Sequence, residues 1–339
     1  MSGNAAFTYS DTAIVSIAHE EAPEVVTSAH FDERLAETYD RVGGQAGLLE
    51  SLAGIKERRW WPEGYLFTDA AAAAGAKAIE ASGIRVDEIG LLIDTSVCRD
   101  RLEPSSAVTV HNTLDLPSWC LNFDMANACL GFMNALQIAG NMIEAGQINY
   151  ALIVDGEGSR RPQEATLERL AGPEATMADL FAEFATLTLG SGGAAAVVGR
   201  HSDNPGSHRL VRGISRADTA HHNLCVGTLD RMRTDTKGLL NAGLDVSKLA
   251  WGDADEYGWL DAQRYIIHQV SQVHTSMLCE RLGIDLGKVP LTFPHLGNVG
   301  PASIPITLSL EAESLQAGDR VMMLGMGSGI NAMATELVW

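Results

Sequence analysis

Basic residues, aromatic side chains and cysteine pairs are all scarce in this chain of 339 residues. Lysine and arginine number 24 against 43 aspartates and glutamates, a formal net charge of −19. So acidic a chain disfavours nucleic acid and anionic membrane surfaces as partners. It also disfavours an acidic carrier protein unless a local basic patch exists. Arg58 and Arg59 beside Trp60 and Trp61 form a candidate patch, and the same residues also read as a solvated turn. The cysteines, at 98, 120, 129, 225 and 279, include no CxxC spacing and are odd in number. Reduced thiols in a cytoplasmic protein are therefore expected. The first residues lack a basic stretch followed by an apolar core, so a signal peptide is not expected. No apolar run reaches the length of a membrane span. What remains is the composition of an ordinary globular enzyme, 46% hydrophobic and 20% charged, long enough for one large domain or two medium ones.

Short apolar runs alternate with amphipathic ones, which predicts an α/β fold with buried sheets. Strands are expected at 12–18, 89–95, 119–123, 150–155 and 192–198, and again at 210–214, 265–268, 289–293, 320–325 and 330–338. Helices are expected over 28–53 with a break at Gly43-Gly44, from a Thr68-Asp69 cap through the alanine-rich stretch to Ala81, and from Ser105 onward. Others are expected over about 227–248, 271–282 and 304–315. Residues 158–185, charged and broken by Gly172-Pro173, read as an inserted helical excursion. One echo links the halves. A turn with Cys129 opens a helix and a strand follows, and a turn with Asn298 does the same. Two equivalent turns of a duplicated unit could face each other and build one site.

The most informative stretch is Asn122-Phe-Asp-Met-Ala-Asn-Ala-Cys129-Leu-Gly-Phe132, where a strand-like run gives way to a long amphipathic helix pattern. Unpaired N–H groups at a helix N-terminus favour a thiolate, the nucleophilic form, so a depressed thiol pKa is expected. Small neighbours (Ala126, Ala128, Gly131) leave room for a substrate. A buried free cysteine is the plainer reading of the same residue. His268 ends a strand pattern and Asn298 sits in a turn; alone, each is an ordinary polar residue at such a place. Together a thiol, an imidazole and an amide suit acyl transfer through a covalent thioester. Other signals fall away. His221-His222 with Cys225 lack a fourth metal ligand. The turn Gly325-Met-Gly-Ser-Gly329 precedes a strand rather than the helix of a dinucleotide fingerprint.

Cys129 in Asn-Ala-Cys-Leu-Gly-Phe, His268 in Ile-Ile-His-Gln and Asn298 in Gly-Asn-Val-Gly-Pro-Ala-Ser-Ile-Pro resemble the Cys-His-Asn triad of the ketoacyl-synthase III branch of the thiolase superfamily. Gly327-Ser328-Gly329 resembles the family's glycine-rich oxyanion turn. Within the branch the chain is most similar to OleA-type condensing enzymes of olefin biosynthesis. The segments 91–105, 154–157, 267–271 and 325–331 carry that likeness. Two departures from the ketoacyl-synthase III pattern favour it as well: Val270-Ser271 where that group has Ala-Asn, and Gly300-Pro301 after Asn298-Val299.

The resemblance implies a thiolase fold, two duplicated α/β halves in an α-β-α-β-α layering. Residues 1–200 would carry the nucleophile and the insertion, and 201–339 would carry His268, Asn298 and the glycine turn. It implies non-decarboxylative Claisen condensation of two fatty acyl-CoA molecules to a 2-alkyl-3-ketoacyl product. That is a first step toward head-to-head hydrocarbons or β-lactones, feeding downstream pathway enzymes. Cys129 would be acylated, and the amides of Cys129 and Ser328 would form the oxyanion hole. His268 and Asn298 would hold the enolate oxygen, and Glu103 would reach a neighbouring subunit's site as base. The protein would be a homodimer, or a heterodimer with a paralogue, needing acyl-CoA as substrate but no cofactor and no metal. Two other readings stay open at this point. One is a decarboxylative synthase using a malonyl thioester, with Glu103 a bystander. The other is a non-catalytic partner subunit. Cys98, in the Glu103 loop, is incidental.

Overall fold

The computed structural model describes residues 4–228 and 230–339. Its strands are β1 (Ala6–Thr8), β2 (Thr12–Glu21), β3 (Glu24–Thr27), β4 (Glu57–Trp60), β5 (Ile89–Asp94), β6 (Leu121–Asp124) and β7 (Tyr150–Glu157). They continue as β8 (Gly192–Arg200), β9 (His208–Ala217), β10 (Cys225–Gly227), β11 (Met232–Thr234), β12 (Arg264–Ile267), β13 (Arg320–Gly327) and β14 (Asn331–Val338). Ten of them form one sheet, nine in the order β12-β13-β14-β9-β2-β8-β7-β5-β6 and β1 off that path on β9.

The path is two copies of one pattern. In the first, β5 pairs in parallel with β6 and β7, then β8 and β2 follow antiparallel. In the second, β12 pairs in parallel with β13, then β14 and β9 follow antiparallel. Only two residue pairs, Ala13–Arg209 and Ile14–His208, join β2 to β9 and so link the halves.

Successive side chains on a strand point to opposite faces, so a strand buried on both faces feeds two cores. Leu91 and Ile93 of β5, Ala151 and Ile153 of β7, and Val321 and Met323 of β13 enter one central core. That core also holds Leu130, Phe132, Met133 and Leu136 of helix Gly131–Glu144 and Ile304 and Leu308 of helix Ser303–Glu311. The alternate residues Leu92, Leu152 and Val154 face helices Phe67–Ser82 and Ser106–Thr113 on one outer side. Met322 and Leu324 face helices Thr236–Gly252 and Gln272–Leu282 on the other. These five layers are the thiolase fold. Helix Phe67–Ser82 approaches β7 at backbone distance: a Cβ on Gly156 would lie 2.1 Å from the Phe67 carbonyl oxygen. Among the described residues, no helix is long and apolar enough to cross a membrane.

Several expectations need correction. The helix expected over about 227–248 starts later, at Thr236, where Asp235 caps it by accepting from Gly238 N–H at 2.9 Å. Hairpin strand β11 lies ahead of it. No strand forms at 289–293: the Thr292 and Phe293 N–H groups donate to the Gln269 side chain, at 2.8 and 3.3 Å, instead of to a neighbouring strand. Helix Phe67–Ser82 is not capped by Thr68. Its Phe67 and Thr68 N–H groups donate to Asp100, 33 and 32 residues away. Arg58, Arg59 and Trp60 lie on strand β4, and Trp61 just after it, rather than in an exposed basic patch. Arg58 is fully buried over the Phe31 ring at 4.5 Å and donates to the Val26 and Leu187 carbonyls and to Ser28 Oγ. Burial lowers its pKa to about 10, so it remains charged at neutral pH.

Arg58→Ala leaves those acceptors buried without their charged donor and opens a cavity. It is expected to cost about 3 kcal/mol of stability, read as a lower urea midpoint at unchanged m-value. A wild-type midpoint would mean that the guanidinium is dispensable to the fold.

Candidate active site

After β6, residues 125–130 turn the chain into helix Gly131–Glu144. Leu130 N–H donates to Asn127 O and Gly131 N–H to Ala128 O, at 3.0 and 3.2 Å. The turn forces Ala128 to φ 44°, a left-handed conformation that costs a residue with a Cβ about 1 kcal/mol or more. Gly131 cannot carry a side chain, since a Cβ there would lie 2.9 Å from the Thr95 carbonyl oxygen. Cys129 is thus held, half-buried, two residues ahead of the helix.

The wall opposite is the β13–β14 turn. A Cβ on Gly325 would lie 2.4 Å from Leu130 Cδ2, and one on Gly327 would lie 3.1 Å from the Asn127 carbonyl oxygen. Asn331 Nδ2 donates to Asn127 Oδ1 at 3.4 Å. The turn carrying Ser328 therefore abuts the turn carrying Cys129. It too is strained, with the β-branched Ile330 at φ 60°. His268 follows β12, donates its N–H to Leu324 O at 2.9 Å, and is buried. Asn298 N–H donates to Thr188 O and its carbonyl accepts from Gly190 N–H, both at 2.9 Å, while its side-chain oxygen accepts from Gly300 N–H at 3.0 Å. That lacing ties the Asn298 turn to the end of the helical excursion. Gly300 in turn faces the Glu157 carboxyl, whose Cδ would lie 3.5 Å from an added Cβ. Cys129, His268 and Ser328 thus follow β6, β12 and β13, and the Asn298 turn lies beside the end of β7 through Gly300 and Glu157.

Glu103 stands apart, exposed on the loop after β5. That loop is clamped along its length. Glu157 accepts from Val97 N–H at 2.5 Å and from Cys98 N–H at 3.3 Å. Arg99 pairs with Asp124 at 3.1 Å, Asp100 caps helix Phe67–Ser82, and Arg101 donates to Thr109 Oγ1. What it holds outward is Leu102, 93% exposed, and Glu103.

The expectation of a thiolate at Cys129 fails. Burial, then the Glu157 carboxylate, push its thiol pKa up to about 12. The site is buried and rich in carboxyls: burial raises Asp94 to about 6 and Glu157 to about 7, and holds Asp155 well above the carboxylate range. The same burial drops His268 to about 3, so its imidazole is neutral. Sequence reasoning gave no role to Glu157, Asp155 or Asp94. The available signal was an acid in the last two or three positions of an apolar strand, where β5 and β7 emerge at the site. His221 and His222 turn to Asp218 and the Thr219 carbonyl. Among the described residues, no group of three or more His, Cys, Asp or Glu is placed to hold a metal ion.

The chain matches two family models, 3-oxoacyl-[acyl-carrier-protein] synthase III over residues 123–163 and the C-terminal domain of that synthase over 253–339. It is 43% identical over 336 residues to the acyl-CoA:acyl-CoA alkyltransferase of Xanthomonas campestris, covering 98% of this chain and 99% of the relative. It is 36% identical to the Shewanella oneidensis protein of the same name, at the same coverage. It is 28% identical to the β-ketoacyl-[acyl-carrier-protein] synthase III of Neisseria meningitidis, over 83% of this chain and 87% of the relative. Among solved structures, an X. campestris OleA cysteine-to-serine variant with bound lauric acid and lauroyl-CoA matches at TM-score 0.96 and 43% identity. The match covers 98% of this chain and all of the other.

Replacing the Glu157 carboxylate by an amide removes one of the two main causes holding the Cys129 thiol protonated. Glu157→Gln is expected to move the pH midpoint of Cys129 alkylation by iodoacetamide downward, followed by mass spectrometry of the Cys129 peptide. Burial, the larger cause, stays, so the midpoint remains above that of a free thiol. An unmoved midpoint would remove Glu157 from the thiol's electrostatics.

Proposed function

The chain belongs to the acyl-CoA:acyl-CoA alkyltransferase family, and from that premise we propose that it joins two fatty acyl-CoA molecules head to head by a non-decarboxylative Claisen condensation. The observation that supports the reading is the packing of the Cys129 turn against the Ser328 turn, with His268 hydrogen-bonded to the same strand β13, in a chain whose relatives match it end to end.

The Cys129 thiol attacks the thioester carbonyl of the first acyl-CoA, the bond to the coenzyme sulfur breaks, and the thiol proton leaves with free CoA. The amides of Cys129 and Ser328 hold the tetrahedral oxyanion. Glu103 of a second subunit then removes the α-proton of the second acyl-CoA. His268 and Asn298 donate hydrogen bonds to its thioester oxygen as enolate charge develops. The carbanion attacks the acyl-Cys129 carbonyl and expels the Cys129 sulfur, which recovers a proton. The product is a 2-alkyl-3-ketoacyl thioester, whose hydrolysis gives the β-keto acid.

Three observations support these roles. A neutral His268 is a hydrogen-bond donor suited to a developing enolate. The clamped loop offers Leu102 and Glu103 to a neighbour rather than to its own site, as a second copy of the chain would require. A relative binds lauroyl-CoA, the class of substrate inferred here.

Incubation with one long-chain acyl-CoA and nothing else is expected to yield a β-keto acid of twice the carbon number, or its ketone after decarboxylation, by mass spectrometry. Acyl-Cys129 without condensed product would point instead to a malonyl donor or a missing partner subunit. Cys129→Ser is expected to abolish the acyl-enzyme, and normal turnover by it would sink the assignment. Glu103→Ala is expected to acylate but to condense about 10²–10⁴-fold more slowly. Mixing Cys129→Ala with Glu103→Ala subunits restores one complete site per mixed dimer, about a quarter of wild-type activity under random pairing. No recovery would place Glu103 in its own subunit's site or outside the mechanism.

A further inference from the structure

A second buried histidine accompanies His268. His274 lies in the first turn of helix Gln272–Leu282, its N–H donating to Ser271 Oγ at 3.2 Å. The two imidazoles are 3% and 4% exposed. His268 Nδ1 and both ring nitrogens of His274 are sealed from solvent and have no hydrogen-bond partner. Buried polar atoms are nearly always paired, so three in one place call for a cause.

All three belong to residues lining a single cavity. Its other walls are Ser247 and apolar groups such as Leu278, Met326 and Met333. Its volume is about 20 Å³, which admits one water molecule. A water there finds the polar neighbours it needs in the two imidazoles and the Ser247 hydroxyl. Burial lowers the pKa of His274 to about 4, so it too is neutral and carries one donor and one acceptor nitrogen.

The tautomer of His268 decides whether it can act. To donate to a thioester oxygen, Nε2 must carry the proton, which leaves Nδ1 as an acceptor in need of a donor. In the other tautomer Nε2 presents a lone pair to the developing enolate charge, and the interaction turns repulsive. Nothing on the backbone fixes the choice, since the His268 N–H is spent on Leu324.

We propose that His274 is a positioning residue for condensation: with Ser247 it orders one water in the shared cavity, and that water donates to His268 Nδ1 and holds the proton on Nε2. The His274 N–H donates to the water, one water hydrogen goes to His268 Nδ1, and the other goes to the Ser247 hydroxyl oxygen; this pairs two of the three orphaned nitrogens and leaves the second His274 nitrogen as an acceptor. This rests on the reading of His268 as donor to the thioester oxygen, and its test separates the two.

The direct readout is the ¹⁵N NMR spectrum of ring-labelled histidine, with His268→Ala assigning the His268 signals. Wild-type protein is expected to show a protonated Nε2 and an unprotonated Nδ1 at His268. His274→Phe, which fills the cavity and excludes water, is expected to shift His268 toward the Nδ1-protonated form. It is also expected to lower condensation on the order of 10–100-fold more than it lowers Cys129 acylation. His274→Gln, which keeps a donor and an acceptor, is expected to restore both the tautomer and most of the rate. An unchanged His268 spectrum in folded His274→Phe would overturn the proposal whatever the rates. A shifted tautomer alongside normal condensation in His268→Ala would uphold the positioning and overturn the role given to His268.

Discussion

The contact between the 127–130 turn and the 325–329 segment is the constraint on which the rest of the site depends. It brings two pieces of chain almost two hundred residues apart to backbone distance, and Gly325 and Gly327 favour it by carrying no side chain. A Cβ at 325 would make the ends of Leu130 and Met133 shift in the central core. Both sides carry strain, at Ala128 and Ile330. Such conformations persist when surrounding packing over-determines them. Here that packing is the central core, in which β5, β7 and β13 grip helices Gly131–Glu144 and Ser303–Glu311.

The enclosure that makes the contact possible also sets the chemistry. Removing water penalises every charged form, so the thiol and the carboxyls rise while the histidines fall. Neutral partners in a dry pocket suit a reaction whose hard moment is a transient oxyanion or enolate. Fixed dipoles act on such charge with little screening and no reorganisation.

Around this centre, side chains rather than secondary structure hold the functional loops. Glu157 sits between the 97–98 backbone and the Gly300 turn, Asp100 crosses to the start of helix Phe67–Ser82, and Gln269 takes the backbone donors of 292 and 293. Each is a polar group answering orphan N–H groups that no strand or helix could reach. The loop bearing Glu103 is consequently exposed and yet firmly tied, which lets an apolar tip be offered to solvent or to a neighbour in a fixed place.

The sequence alone determined the α/β class and most of the strands that emerge at the site, and it singled out Cys129, His268 and Asn298 as the candidate set. Continuous apolar runs and helical periodicity are local signals, and the motifs surrounding those residues are contiguous. Arg58 looked like a surface cation because its acceptors at 26, 28 and 187 are remote in the chain. Residues 289–293 looked like a strand because the run is apolar, while the partner that took the 292 and 293 N–H groups was Gln269, 23 and 24 residues earlier. The sign of the Cys129 shift followed local helix electrostatics in the sequence and reversed in the structure, since burial and Glu157 outweigh a helix that begins two residues later. The pairing of His274 with His268, likewise, exists only as a shared cavity. Tertiary structure decided these points because desolvation and hydrogen-bond satisfaction depend on which atoms surround a group, and those atoms come from everywhere in the chain.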